Sequence, residues 1–271
     1  MTPTIFGILN ITEDSFSDGG RHLDPAAALA GARRLAVEGA DVVDLGAAAS
    51  NIDAKPVPPG EEIHRLAPVI AALRAAGVAV SVDSFAIETQ RFALRAGAAF
   101  LNDIQGFPDA ALYPELAASA CRLVVMHAVQ GRGRAQRVGV PAAEIWPRIE
   151  AFFAARIAAL EAAGVARDRL VLDPGMGFFL SSEAAASLAV LARIDRLKRR
   201  FALPVMVSVS RKSFLAAVTG RQTGDRGAAT LAAELYAAAK GADFIRTHDV
   251  RALRDGLAVA AALAQAEQAT E

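Results

Sequence analysis

The sequence predicts an α/β protein, a single (β/α)8 TIM barrel that spans residues 1–271. Eight short runs rich in β-branched residues alternate with longer segments whose apolar positions recur at helical spacing. This alternation is typical of parallel sheets built through right-handed crossovers. Eight strand–helix pairs also match the size of such a barrel, and no linker or shift in composition indicates a second domain.

The individual elements follow from this pattern. The strands are predicted at TIFGILN (4–10), DVVDLG (41–46), VAVSVD (78–83), FLNDI (100–104), RLVVMH (122–127), RLVLDPG (169–175), PVMVSVS (204–210) and DFIRTH (243–248). Helical spacing is clearest at 25–39 and 227–241, and left-handed stops are expected at Gly39, Gly97, Gly164 and Gly241. A doubly wound open sheet is the alternative, but it would require a G-x-G-x-x-G motif after an early strand, where the sequence has none.

The composition favours a small-molecule partner. Of the 271 residues, 54% are hydrophobic, and 29 Lys and Arg balance 29 Asp and Glu, so no basic surplus indicates nucleic acid or a membrane surface. The single cysteine, Cys121, excludes an intramolecular disulfide framework. No signal-like N-terminus or bilayer-length apolar run is present, so we expect a cytoplasmic protein.

Polar residues stand at almost every predicted strand end. They are Asn10, Asp44, Asp83, Asn102, His127, Asp173, Lys212, Arg246 and His248. Chemistry in such barrels gathers at the carboxyl ends of the strands. One such Asp or Asn is more often a turn former, and His127 by itself is interpreted as structural. Together, converging on one mouth, these groups would be costly to bury unpaired, which predicts a site.

The predicted rim has two chemically different sectors. Strand eight neighbours strand one in a closed barrel, so Arg246, His248 and Asn10 share a sector that suits phosphate oxygens. Across from it, Asp83, Asn102 and Asp173 suit a flat heterocycle with several N–H groups, such as a pterin or guanine. The sequence therefore predicts a phosphorylated heterocycle as ligand.

The loop TEDSFSDGGRHLD (12–24), which carries Phe16, is long for a barrel connection. It is either an ordinary surface loop or a lid that excludes water from the mouth.

Five ordered motifs resemble those of the dihydropteroate synthase family over essentially the whole chain. They are GILNITEDSFSDGG (7–20), LNDIQG (101–106), LDPGMGF (172–178), SRKS (210–213) and IRTHDV (245–250). That family joins 6-hydroxymethyl-7,8-dihydropterin diphosphate to 4-aminobenzoate in folate biosynthesis and releases diphosphate with the help of Mg2+. The resemblance implies the same activity here.

The resemblance also implies a role for each rim residue. Asp83, Asn102, Asp173 and Lys212 would hold the pterin, with Met126 against its ring. Asn10 would take part in the diphosphate and magnesium site, and Arg246 and His248 would grip the diphosphate. If the C–O bond breaks before the amine arrives, Arg246 and His248 would stabilise the leaving group, and Asp83 and Asp173 the cationic methylene.

The 4-aminobenzoate would have its own cradle after strand seven. SRKSFLAAVTG (210–220) is predicted to begin a short helix, whose free N–H groups and the Ser213 hydroxyl suit a carboxylate. The Lys212 stem and Phe178 would sandwich the ring, and Phe16 would close over it.

Two loops depart from the family pattern. Where the family usually reads Gly-Gly-Glu-Ser-Thr-Arg-Pro, this chain has GAAASNI (46–52): Ser50 keeps the hydroxyl, but Asn51 replaces the Arg, and Lys55 is a candidate substitute. After strand six, Phe178 is followed by Phe179 in a segment about two residues longer than usual. The combination is most similar to the divergent, sulfonamide-insensitive (Sul-type) members, so sulfonamides are expected to be weak inhibitors through the added aromatic.

Two alternatives remain open from the sequence. A methyltetrahydrofolate methyltransferase uses a related barrel but needs no diphosphate clamp. The altered second lid (46–52) leaves room for a non-catalytic pterin-binding paralogue. Related enzymes are mostly homodimers, and LAAELYAAAKG (231–241) is a candidate interface helix.

Overall fold

The computed structural model shows eight parallel strands in one sheet that closes into a barrel. The structure describes residues 2–12, 24–50, 52 and 54–269. The strands are β1 (Thr4–Asn10), β2 (Val42–Gly46), β3 (Ala79–Asp83), β4 (Phe100–Asp103), β5 (Arg122–Met126), β6 (Leu170–Asp173), β7 (Met206–Val207) and β8 (Phe244–Thr247). Consecutive strands pair from β1 to β6, and β8 lies between β1 and β7.

The barrel closes between β6 and β7. A single bridge joins Leu172 to Val205, and the Leu172 N–H donates to the Pro204 carbonyl at 2.9 Å. This closure confirms the predicted barrel, and the doubly wound alternative is wrong. Seven strands lie where the sequence predicts them, but β7 keeps only two of the seven predicted residues. Val209 is buried as in a strand, yet β7 pairs with β8 no further than Ile245.

Helices cover the outside of the barrel. They are α1 (Pro25–Val37), α2 (Pro59–Ala75), α3 (Ile87–Arg95), α4 (Tyr113–Ala118), α5 (Ala142–Ala162), α6 (Ala184–Leu191), α7 (Asp195–Phe201), α8 (Ser213–Thr219), α9 (Gly227–Ala239) and α10 (Val250–Gln268). The four predicted stops are confirmed, since Gly39, Gly97, Gly164 and Gly241 all have positive φ. No helix in the described ranges combines the length and apolar character needed to cross a membrane.

The barrel interior is apolar at the amino ends of the strands and polar at their carboxyl ends. At the amino ends, the rings of Phe6, Phe100 and Phe244 pack edge to face, with ring centroids 4.9–6.0 Å apart. On the same inward face, Arg246 lies two residues beyond Phe244, and Asp44 lies two residues beyond Val42, the register partner of Phe6. The phenylalanine cluster therefore fills the amino end of the barrel, and the polar carboxyl end, called the mouth below, contains the site.

Candidate active site

The barrel mouth brings most of the predicted residues together. Strand register pairs Gly46 with both Asn10 and Asp83, Asp83 with Asn102, and Met126 with Asp173. Because register partners in parallel strands point the same way, these side chains face one opening. The Oδ1 atom of Asn102 is buried and has no hydrogen-bond partner among the described residues, so it can accept a ligand N–H.

Arg246 lies at the centre of this mouth and is held by two carboxylates. Its Nε is 2.5 Å from Asp44 Oδ2, and its Nη2 is 2.6 Å from Asp83 Oδ2. Burial alone would lower the pKa of Arg246, but the charges of Asp44 and Asp83 raise it overall. The guanidinium thus reaches from β8 across β1 to β2 and β3, and it remains a cation.

The neighbouring titratable groups have pKa values close to neutrality. Burial raises the pKa of Asp83 to about 7, although Arg246 opposes the shift. Burial likewise raises the pKa of Asp173 to about 6, against a 2.8 Å hydrogen bond from the Gly175 N–H. Burial and the Arg246 charge lower the pKa of Lys212 to about 8. Such a cluster of shifted groups in a cleft is typical of a functional site.

His248 is buried and neutral, and its ring contacts Ser210. The Ser210 Oγ accepts the His248 backbone N–H at 3.2 Å and lies 2.9 Å from His248 Nδ1. The Ser210 hydroxyl keeps its own hydrogen and a second lone pair, so it can donate to Nδ1 of a ring whose proton is on Nε2. Burial lowers the pKa of His248 well below its usual value, and the charges of Arg211, Arg246 and Lys212 lower it further.

His127 has a structural role, as its sequence position suggests. Its Nδ1 lies 3.1 Å from the Pro174 carbonyl, and burial lowers its pKa to about 4, so the neutral ring donates this bond. The next residue, Gly175, has φ +74°, and a Cβ there would stand 2.4 Å from the His127 carbonyl oxygen. Only glycine fits this turn, which fixes the end of β6 and with it Asp173.

The turn after β4 is fixed by a second buried carboxylate. Asp103 accepts from the Gln105 N–H at 2.7 Å, the Phe107 N–H at 3.0 Å and Gln90 Nε2 at 3.0 Å. These three donors satisfy a carboxylate that is almost fully buried. Asp103 thereby orients the end of the strand that carries Asn102.

A cavity of about 340 Å³ opens beside the mouth. Its lining residues are Ser50, Ile52, Ala135, Arg137, Met176, Phe178, Phe179, Arg211, Lys212, Ser213, Thr223 and Arg226. Four of them, Ser50, Phe178, Lys212 and Ser213, are predicted substrate-binding residues, and Phe179 is the predicted added aromatic. Lys212 therefore borders both the cavity and the charged groups of the mouth.

The two phenylalanines of the cavity make different contacts. Phe179 is buried against Met126 and Ala135, and Lys212 Nζ lies 5.0 Å from its ring centroid. Phe178 is only partly buried, and Arg137 Cζ lies 5.2 Å from its ring. The segment after β6 thus gives the cavity two aromatic walls.

The turn that presents Lys212 is strained and held from outside. Arg211 has φ +60°, a left-handed conformation that costs energy for a residue with a side chain. Its N–H donates to Thr230 Oγ1 at 3.1 Å, and Arg226 Nη1 donates to its carbonyl at 2.9 Å. Helix α9 and Arg226 therefore fix the position of Lys212.

Some predicted residues lie elsewhere or outside the described ranges. Phe16, with the rest of residues 13–23 of the first lid, and Asn51 belong to the latter group. Lys55 lines a different cavity of about 280 Å³, together with Thr12, Glu61 and Arg65, and it does not line the cavity that contains Ser50.

Asn10 is suited to a magnesium ion that a substrate brings. Among the described residues, no three His, Cys, Asp or Glu side chains are grouped to hold a metal. Mg2+, however, often binds through one or two protein oxygens, substrate phosphates and water. A Cβ at Gly46 would come within 3.4 Å of Asn10 Oδ1, so the glycine keeps room beside this oxygen. The amide oxygen fits such a shared site.

Sequence reasoning missed the roles of two residues. In the sequence, Asp44 is one of several polar strand ends with no predicted role at the site, and Ser210 stands out only as part of the SRKS motif. For Asp44 a signal existed, because Val42, Asp44 and Gly46 alternate on one face, which puts a carboxylate inside an otherwise apolar barrel. The partner of Ser210 comes from another strand, and no local pattern shows it.

Comparisons with known proteins agree with this geometry. The family model described as "Pterin binding enzyme" matches residues 6–248. The "Dihydropteroate synthase type-2" of Escherichia coli is 65% identical over 259 residues, which cover 96% of this chain and 95% of the relative. The dihydropteroate synthase of Xanthomonas albilineans solved with 4-aminobenzoic acid superposes with a TM-score of 0.87 at 38% identity, covering 97% of this chain and 93% of the other.

A dihydropteroate synthase of Yersinia pestis, solved with a sulfonamide drug, superposes with a TM-score of 0.89. It is 31% identical, over 97% of this chain and 95% of the other.

Proposed function

The chain belongs to the dihydropteroate synthases of the pterin-binding enzyme family, and we propose that its two substrates meet at Lys212. Lys212 lines the 340 Å³ cavity and also faces the carboxylates of Asp83 and Asp173. The dihydropterin ring occupies the mouth between these carboxylates, and 4-aminobenzoate occupies the cavity. The proposal rests on the position of Lys212 at the boundary between the cavity and the mouth.

The mouth supplies the ring with acceptors in fixed positions. Asp83 and Asp173 accept ring N–H groups, Asn102 Oδ1 offers one more acceptor, and Met126 packs against the ring face. The pKa values of both carboxylates lie near neutrality, so ionising them in contact with a donor-rich ring costs less than it would in an empty buried site. The ring therefore binds most tightly when both are charged.

The sector of the mouth formed by Arg246, His248 and Asn10 binds the diphosphate. Arg246 and the His248 Nε2–H donate to its oxygens, and Asn10 would hold Mg2+ there. The bound ion would neutralise charge that develops on the leaving oxygens. As the methylene C–O bond breaks, its electron pair leaves with the diphosphate, and Asp83 and Asp173 stabilise the cationic carbon. The aniline nitrogen then bonds to that carbon and releases its proton.

The cavity holds the second substrate so that its amine points at this carbon. The Ser213 hydroxyl and the first N–H groups of α8 donate to the carboxylate, and the ring lies between the Lys212 stem and Phe178. Ser50, in the second lid (46–52), lies at the edge of the same cavity, where its carbonyl accepts the Ala135 N–H at 3.0 Å. Phe16 would complete the enclosure from the first loop.

Turnover measurements test the assignment. We expect the protein to form dihydropteroate from both substrates, with Mg2+ required. Asp173→Asn should lower kcat about ten- to a hundredfold, because a lost charge-assisted contact costs about 1.5–3 kcal/mol. Asp255→Asn, which removes an exposed carboxylate on α10, is the matched control. Ring binding without any product would instead favour the non-catalytic paralogue.

We further propose weak inhibition by sulfonamides. These drugs occupy the aminobenzoate cavity but project a bulkier group, and the second aromatic wall at Phe179 leaves less room for it. Deleting Phe179 should lower the sulfamethoxazole inhibition constant about tenfold or more while the KM for 4-aminobenzoate changes little. Thr223→Ala enlarges the same cavity without removing an aromatic residue and serves as control. Equal inhibition constants for the wild type and the deletion would end this idea.

We also propose a cytoplasmic homodimer, in line with the family resemblance. Helix α6 packs against α8, α8 against α9, and α9 against α10. Each exposes a large apolar side chain, and together these form an apolar outer face: Leu188, Val218, Tyr236, Val259 and Leu263. Exposed apolar side chains on helices that pack side by side are typical of an interface between copies.

A further inference from the structure

We propose that Asp44 is a positioning residue that holds Arg246 at the mouth while Asp83 exchanges the guanidinium for the pterin ring. The inference rests on the proposed function, in which Asp83 binds the ring. It concerns a residue that touches neither substrate, since Asp44 lies one layer below the mouth on β2, with its side chain fully buried.

The two carboxylates on Arg246 differ in their freedom to change partner. Asp44 is enclosed by the barrel, opposite Ile8 on β1 and Ser81 on β3, and it has no route to a ligand in the mouth. Asp83 stands at the last position of β3, and its side chain is 16% exposed. A ring N–H can therefore reach Asp83 but not Asp44, so only the pair between Arg246 and Asp83 is exchangeable.

When the pterin ring binds, its N–H groups compete with the Arg246 guanidinium for the Asp83 carboxylate. In the free protein, its Oδ2 atom is occupied by Arg246 Nη2 at 2.6 Å. Without a second carboxylate, the loss of that contact would leave the buried Arg246 guanidinium without an ionic partner, which is costly. Asp44 Oδ2 keeps its 2.5 Å contact with Nε, so Arg246 stays paired and stays in place as Asp83 turns to the ring. The released Nη2 then faces the mouth, where it can donate to the diphosphate.

The surrounding charges agree with this division of roles. Lys212 from the loop after β7, Asp103 from β4 and Asp44 from β2 face Asp83 together with Arg246. Lys212 can compensate the charge of Asp83 when Asp83 turns away from Arg246. For Asp44, Arg246 is the only hydrogen-bonding partner in the described part of the chain, and its Oδ1 atom has none.

The Asp44→Asn variant tests the proposal. The amide keeps the shape and can still accept from Nε, but it removes a charge that competes with Asp83 for Arg246. The pair between Arg246 and Asp83 should then tighten, since charge-assisted hydrogen bonds are about twice as strong as neutral ones. We expect the affinity for 6-hydroxymethylpterin, measured by calorimetry, to fall about tenfold. The KM for the dihydropterin diphosphate should rise, and that for 4-aminobenzoate should stay unchanged.

A double-mutant cycle separates this role from a merely structural one. If Asp44 acts through Arg246, Asp44→Asn should have no effect on ring affinity in the Arg246→Gln background, whereas a general disturbance of the barrel would persist there. Ser81→Ala is the matched control, because Ser81 is the register partner of Asp44 and its Oγ has no partner among the described residues. Should the Asn variant fail to fold, Asp44→Ser carries the same expectation.

The outcomes are distinct. Unchanged ring affinity in Asp44→Asn, or the same loss in both backgrounds, would overturn the role of Asp44. Absence of dihydropteroate formation by the wild type would instead overturn the proposed function, and the binding cycle would still report on Asp44.

Discussion

At the scale of single residues, the mouth is governed by burial and by mutual charge. Asp83 and Asp173 would be ordinary carboxylates in water, and Lys212 an ordinary amine, but enclosure at the end of the barrel moves all three pKa values towards neutrality. The strand ends predict which residue types meet there. They do not predict that Arg246 is already paired, because its partners come from β2 and β3.

The pH dependence of turnover follows from these shifts. Below about pH 7 Asp83 gains a proton, and below about pH 6 Asp173 does, so the ring loses its charged acceptors. Above about pH 8 Lys212 loses its proton. We expect kcat/KM for the dihydropterin diphosphate to peak between these limits, since this ratio reports the pKa values of the free enzyme. A flat profile from acid to alkaline pH would contradict the assignment.

At the scale of elements, helix α9 supports β8 through a buried acid. Glu234 is 1% exposed, and its hydrogen bond with Thr247 links α9 to the strand that carries Arg246. The Thr247 Oγ1 in turn accepts the Asp249 N–H at 3.2 Å. Burial, reinforced by the Asp249 charge, raises the pKa of Glu234 to about 8. The side chain is therefore protonated at neutral pH.

Replacing Glu234 by Gln should stabilise the protein at alkaline pH. As pH rises from about 4.5 to 8, an unfolded chain ionises this group while the folded one does not, so the wild type loses unfolding free energy over that window. Gln cannot ionise, and at pH 8 the variant should gain up to a few kcal/mol, at about 1.4 kcal/mol per unit of pKa. Urea unfolding at pH 5 and pH 8 measures the difference, with exposed Glu267→Gln as control. An equal gain at both pH values would disprove the charge effect.

At the scale of the whole molecule, the apolar outer face carries most of the exposed large apolar side chains in the described ranges. Every described residue of α10 after Leu257 is exposed, and Val259 and Leu263 are each 61% exposed. Five of the seven exposed large apolar side chains in the described ranges belong to this face. The active-site mouth lies at the carboxyl ends of the strands, whereas this face lies on the outer helices, so the two can operate independently.

A charged residue on this face should produce monomers. We expect the wild type to run as a dimer in size-exclusion chromatography with light scattering, and Leu263→Glu to run as a monomer, because an unpaired charge is costly to bury at an apolar contact. Turnover should persist, since the mouth is unaffected. Val37→Glu alters a residue on α1 that is 86% exposed, and it should leave the dimer intact. A wild-type monomer would refute the proposed assembly.

Patterns within the sequence are enough to predict the barrel, the family and most of the rim. Alternating β-branched runs, glycine stops and strand-end polar residues are local signals, and they act through local backbone geometry and side-chain direction. Four features follow only from the closed barrel: the short β7, the pairing of Arg246 with Asp44 and Asp83, the buried neutral His248, and the separation of Lys55 from the cavity of Ser50. Each of these depends on residues far apart in the chain, whose contacts and desolvation exist only after the barrel closes.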